Sequence, residues 1–142
     1  MAIFSISGRV RWFETDTAGV AHFTQFMVYC ENLEKELLYS DSINLWEIED
    51  KYNIWIPRVH VECEYKYPLY FHDEYRVDLT NIDIGRTSIK FIYEIHNLTR
   101  KKHSATCKIT LVTVDRGSNR PVEIPDELRS RLEKIIGGSS RG

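Results

Sequence analysis

Within seven positions the chain sets an aspartate, a glycine and a histidine, in the run Glu14-Thr15-Asp16-Thr17-Ala18-Gly19-Val20-Ala21-His22. A carboxylate can take a proton from water or attack a carbonyl itself. A glycine admits backbone conformations and close approaches closed to other residues. The N–H groups at the start of a helix carry a partial positive charge and can hold a developing oxyanion. As residues alone they leave a second reading open, in which Asp16 is a helix cap or turn carboxylate that only holds the loop. His22 reads equally as a pocket wall and as a polar group at the helix end. Gln25 can hold the turn or a water through its amide, and an ordinary hydrogen bond serves as well.

The flanking elements must bring these residues together. Before them, Ile6, Gly8, Val10 and Trp12 alternate with Ser5, Ser7, Arg9 and Arg11, which predicts a half-buried strand over Ile3 to Phe13. From His22 the period changes: Phe23, Phe26, Met27, Cys30, Leu33, Leu37 and Leu38 recur at steps of three and four, the stripe of a helix buried on one side. Ser40-Asp41-Ser42 ends it, and a short helix over Leu45 to Tyr52 follows, capped by Asp41 or Asn44. Arg58–Tyr67, Glu74–Ile84, Thr87–Asn97 and Ser104–Asp115 are rich in β-branched and aromatic residues and read as four strands of an antiparallel meander. A tight turn at Gly85 and a polar loop between Asn97 and His103 separate the last three. A final helix runs from Asp126 to Ile136. A curled sheet of about five strands wrapped around the long helix buries all these stripes at once, an α+β arrangement. Residues 1–136 then form one domain and residues 137–142 a flexible tail.

Composition narrows the chemistry. With 19 Lys and Arg against 21 Asp and Glu, the formal charge of -2 gives no reason to expect a nucleic-acid or membrane-surface partner. Three cysteines at wide spacing indicate neither a disulfide framework nor a zinc site, and they fit a cytosolic protein. The histidines lack metal-ligand spacing, so no metal and no cofactor is expected. No leader and no long apolar run stands out, which reads as a soluble, unexported, cytoplasmic chain. The densest basic region is Arg86, Lys90, Arg100, Lys101, Lys102 and Lys108, where cations could meet phosphates; a solvated hairpin accounts for them as well.

The pattern Asp16, Gly19, Val20 and Phe26, at the end of a strand and the start of a helix, resembles the signature of the 4-hydroxybenzoyl-CoA thioesterase family of hot-dog-fold acyl-CoA thioesterases. Three further segments resemble the family in the same order: Pro68 to Glu74; Ile84-Gly85-Arg86-Thr87-Ser88 leading to Tyr93-Glu94-Ile95; and Val114 to Arg116 with Arg120 to Pro125. The resemblance spans Ser5 to about Leu132. It implies hydrolysis of an acyl-CoA without cofactor, with Asp16 as nucleophile or general base. The amide seven residues later, that of Phe23, then polarises the carbonyl, and Gly19 permits the approach. His22, Val20, Gln25, Arg86, Thr87, Ser88, Arg100 and Lys101 are the corresponding substrate-binding candidates, Arg86 foremost. The chain departs from the family in placing histidine at 22 where many members carry it at the position of Phe23, and in Gln25 where many carry asparagine. A homodimer, or a tetramer of dimers, with the active site at the dimer interface is also implied. Two other readings remain: a non-catalytic module that binds acyl thioesters, and a dehydratase, which His22 with the distant Glu31 matches poorly.

Overall fold

Side-chain alternation carries the first strand only as far as Arg9. In the computed structural model, which describes residues 2–138, β1 (Phe4–Arg9) is followed by a tight 3-10 turn, Trp12–Glu14. Trp12, expected on the inner face of a longer strand, therefore stands 76% exposed. The long helix α1 (Gln25–Ser40) also starts later than the periodicity suggests. Residues 23 and 24 form a turn, because the His22 carbonyl accepts the Gln25 N–H at 2.8 Å and so closes a bend ahead of the first helical turn. Phe23 accordingly leaves the buried stripe, and Tyr29 joins it with Phe26, Cys30, Leu33, Glu34 and Leu37.

The helix α2 (Leu45–Tyr52) has the expected bounds, and Asn44 caps it by accepting the Glu47 N–H at 3.2 Å. Then come β2 (Ile54–Trp55), β3 (Arg58–Tyr65), β4 (Glu74–Ile84), β5 (Ser88–Asn97), β6 (Lys102–Val112), β7 (Val114–Asp115) and α3 (Asp126–Gly137). Five strands form one antiparallel sheet in the order β1-β4-β5-β6-β3. Only β4, β5 and β6 are a meander; β3 lies at the far edge, beside β6. The physical reason is the link 66–73, which does not turn back as a hairpin. It buries Leu69 and spends its backbone on the Asp16 loop instead: the Leu69 carbonyl accepts the Ala21 N–H at 2.7 Å, and the Phe71 N–H donates to Gly19 at 3.0 Å. The last expected strand breaks at Thr113, whose hydroxyl bonds the Val122 carbonyl, and the remainder pairs as β7 with β2. Gly137 closes α3 and Gly138 caps it, so the first two residues of the expected tail belong to the helix end; residues 139–142 lie outside the described residues.

Val77, Leu79, Tyr93, Ile95, Cys107 and Ile109 point from the sheet toward α1 and share its apolar core. Burying such side chains, at roughly 1.5–3 kcal/mol each, is what fixes α1 on this face. Both edges of the sheet are open. On β3, Val59, Val61 and Tyr65 remain exposed among His60, Glu62 and Glu64.

Candidate active site at the strand-to-helix junction

The Asp16 loop is closed on itself before it meets anything else. Thr15 bridges Ala21, the Asp16 N–H donates to the Val20 carbonyl at 2.9 Å, and the Gly19 N–H donates to the Asp16 carbonyl at 3.0 Å. Gly19 sits at φ +78 with open space where a Cβ would stand, so the glycine answers to the backbone conformation and not to crowding. Val20 bridges Tyr70 and thereby seats the loop on the link 66–73. One oxygen of Asp16 accepts the Ala18 N–H at 2.8 Å; the other has no partner among the described residues, and the side chain is exposed. The carboxylate thus holds its turn with one oxygen and presents the other.

Across the loop, the Phe23 N–H likewise donates to nothing among the described residues, while the Phe23 carbonyl accepts the Tyr65 hydroxyl at 2.7 Å. Burial, with the thiol of Cys63 nearby, pushes the Tyr65 phenol up and keeps its proton in place for that bond. His22 turns back on its own bend: Nδ1 lies 2.7 Å from the Thr24 hydroxyl and accepts the Thr24 N–H at 3.3 Å. That N–H can only donate, so the ring proton belongs on Nε2. His22 stacks on Phe23 at 4.7 Å between centroids. Phe23 is 62% exposed, and Trp12 and Phe13, in the turn that leads into the loop, stand out similarly at 76% and 74%.

Glu14, to which sequence reasoning gave no role, holds both sides of the junction. Its carboxylate accepts the Arg11 N–H and the Tyr29 hydroxyl, each at 2.9 Å, and the Gln25 amide at 3.4 Å; its carbonyl accepts the His22 N–H at 2.9 Å. Burial and then the Glu14 bond push the Tyr29 phenol up, so Tyr29 remains a donor. Tyr29 stacks on Tyr75 at 4.1 Å, and the Tyr75 hydroxyl lies against Gly8, 2.5 Å from where a Cβ would be. A signal for Tyr29 existed, because it falls three residues after Phe26 and four before Leu33 in the helical stripe.

The basic candidates separate into two ends of the sheet. Arg86, Thr87 and Ser88 lie at the β4–β5 turn, whereas Arg100 and Lys101 lie beyond Asn97 at the other end of β5. The nine steps from Ser88 to Asn97 span roughly 30 Å at about 3.3 Å each. The Asp16 loop is at the Arg100 end, since Arg100 stacks over Tyr70 at 4.1 Å and Tyr70 bridges Val20. The Nε of Arg100 bonds the buried Asp73 at 3.0 Å, and Asp73 also accepts the Asn97 amide and the Tyr70 N–H. Arg86 makes an exposed pair with Glu123 at 3.2 Å, and the Thr87 carbonyl accepts the Thr113 N–H. The dense basic stretch of the sequence is therefore not one patch. Among the described residues no cluster of His, Cys, Asp or Glu has metal-binding geometry, and no helix is long and apolar enough to cross a membrane.

The chain as a whole is similar to known proteins. The chain is 29% identical over 131 residues to a 1,4-dihydroxy-2-naphthoyl-CoA hydrolase of Nostoc punctiforme, covering 92% of this chain and 86% of that one. It is 30% identical over 135 residues to the enzyme of the same name from Prochlorococcus marinus, covering 78% and 86%. The solved structure of a 1,4-dihydroxy-2-naphthoyl-CoA thioesterase from Synechocystis superposes with a TM-score of 0.84 at 22% identity, covering 94% of this chain and 97% of that one. The sequence profile of the thioesterase-like superfamily matches residues 10–132, from the last residue before the Asp16 turn region to the middle of α3. By sequence and by its hot-dog fold, the chain belongs to the thioesterase-like superfamily.

Proposed function

We propose that the protein is an acyl-CoA thioesterase, releasing a carboxylic acid and free CoA, with Asp16 as nucleophile or general base and the Phe23 N–H as oxyanion donor. The observation that carries this reading is that one loop presents both an exposed Asp16 oxygen and, in the bend just ahead of α1, the unengaged Phe23 N–H, on a turn that both backbone and Glu14 hold closed. As general base, Asp16 takes a proton from water as the oxygen adds to the thioester carbon. The carbonyl oxygen gains charge against the Phe23 N–H. Collapse then breaks the C–S bond, and the thiolate leaves and takes up a proton. As nucleophile, the carboxylate adds to the thioester carbon, the C–S bond breaks and the CoA thiolate leaves to take up a proton, and water then hydrolyses the resulting anhydride to the acid and the free Asp16 carboxylate.

The exposed aromatic side chains on either side of the loop, Trp12, Phe13 and Phe23, favour a flat, aromatic acyl group, and the relatives named as naphthoyl-CoA hydrolases support the same choice. Arg86 cannot reach Asp16 within one chain. A two-fold that pairs the open β3 edges antiparallel would bring the partner's β4–β5 turn to the Asp16 end, which supports a dimer with a shared site.

The test is thiol release across a panel of acyl-CoA esters. Aroyl esters should turn over faster than short aliphatic ones. Asp16→Asn should lower turnover by roughly 100-fold or more while shifting the thermal midpoint by only about a few degrees, as loss of a catalytic base from an exposed loop does. Near-normal turnover in that variant would remove Asp16 from the chemistry, and binding of every ester without turnover by the unaltered protein would favour the non-catalytic module.

A further inference from the structure

The sheet face turned away from α1 carries a cavity of about 300 Å³ at the β5–β6 end, walled by Arg76, His96, Lys101, Lys102 and His103, with Asn97 and Leu98. The wall contains no carboxylate. Two acids on the same sheet face, one row along from it, fix its groups: Asp78 accepts the Arg76 Nε at 2.9 Å and faces the His96 Nε2 at 3.4 Å, and Glu94 lies 2.7 Å from the His103 Nε2. Both acids are also anchored, Asp78 by the Ser5 hydroxyl and Glu94 by that of Thr106. The two imidazoles, 5.1 Å apart, thus turn Nε2 to the carboxylates and leave Nδ1 for other partners. Lys101 and Lys102 pair with no carboxylate among the described residues, and Lys101 is held at the turn tip with φ 57. Of the permanent cations, Arg76 pairs with Asp78, Lys102 sets its Nζ 5.8 Å from the Tyr67 ring centroid, and Lys101 has no acidic partner among the described residues; a proton on His96 adds a further positive charge at the wall.

A sheet face fixes Arg76, His96 and His103, so the entropy of gathering donors is largely spent in folding. We propose that this cavity binds a phosphate-bearing anion, at a site on the opposite face of the sheet from α1 and separate from the Asp16 loop. The assignment does not rest on the thioesterase reading. Free phosphate and the nucleotide phosphates of CoA share the chemistry that the cavity selects.

Burial holds His96 below the usual imidazole range, aided by Arg76 and His103 and opposed by Asp78 and Glu94. An anion beside the His96 Nδ1 favours its imidazolium, so binding takes up a proton and weakens as pH rises through the range of the bound His96.

Inorganic phosphate titrated into the intact protein, with the His96 and His103 ring protons followed by NMR, tests the site. Saturable shifts are expected, unchanged in Asp16→Asn and at least about tenfold weaker in affinity for Lys101→Glu/Lys102→Glu, with Lys101→Gln/Lys102→Gln between. Sulfate keeps its charge over the range and should bind more tightly at about pH 6 than at about pH 8. CoA that displaces phosphate better than 3′-dephospho-CoA names the nucleotide as the source, and failure of both to displace it names free phosphate. Absence of saturation, shifts that survive the charge reversal, or affinity for sulfate that does not change with pH would overturn the assignment.

Discussion

The Glu14 carboxylate receives three hydrogen bonds, from Arg11, Gln25 and Tyr29, while Asp16, two residues on, receives one from its own turn. The difference separates holding a site from using it. Glu14→Ala leaves the Tyr29 hydroxyl and the Arg11 N–H without an acceptor, which should cost about 1–3 kcal/mol in denaturant unfolding. Turnover should fall about tenfold, since the Asp16 loop and the Phe23 turn lose their common anchor. Glu14→Gln keeps an acceptor oxygen and should recover most of both; equal losses in the two variants would mean that the charge, and not the anchoring, matters. The sequence made Asp16 and Gly19 legible because a turn is a local event, written in adjacent residues. It hid Glu14 because two of its partners, Gln25 and Tyr29, stand 11 and 15 residues away and meet it only when α1 lies down on the sheet.

At the level of elements, period-2 and period-3.6 patterns located β1, α1, α2, α3 and the long strands, because burial on one face imposes those periods. Which strand pairs with which is a different matter. β3 sits beside β6 and not β4 since the link 66–73 serves the Asp16 loop, and no property of β3 itself records that. The basic stretch misled for the same reason: proximity in sequence across a ten-residue strand becomes separation in space. The open β3 edge has its own test. Val61 faces inward beside Ile109 yet is exposed, and a partner strand would cover it. Val61→Glu should leave a folded monomer with greatly reduced turnover by sedimentation and thiol release. A Val61→Glu dimer of normal activity would place the interface elsewhere.

For the whole molecule, the separation of Asp16 from Arg86 by the length of the sheet decides how subunits would cooperate in the proposed dimer. Chains carrying Asp16→Asn and chains carrying Arg86→Glu should each be poorly active alone. After exchange of subunits, a heterodimer combines the intact Asp16 of one chain with the intact Arg86 of the other, and about half of all dimers should be such heterodimers in an equal mixture. Turnover of the mixture should therefore rise well above that of either parent. Exchange without recovery would mean that each chain builds its site alone, or that Arg86 has no part in it.

Tyr75 lies in the space a side chain at residue 8 would need, and it stacks on the tyrosine that bonds Glu14. A larger residue at position 8 would displace Tyr75, and the displacement would pass through Tyr29 to the Asp16 loop. In evolutionary terms the two positions are not free to drift separately: a lineage that gains a side chain at Gly8 must first, or at once, shrink the residue at Tyr75. A glycine in β1 is thus tied through Tyr75 and Tyr29 to the Glu14 anchor of the Asp16 loop, and its history in any descendant should be readable as a paired change.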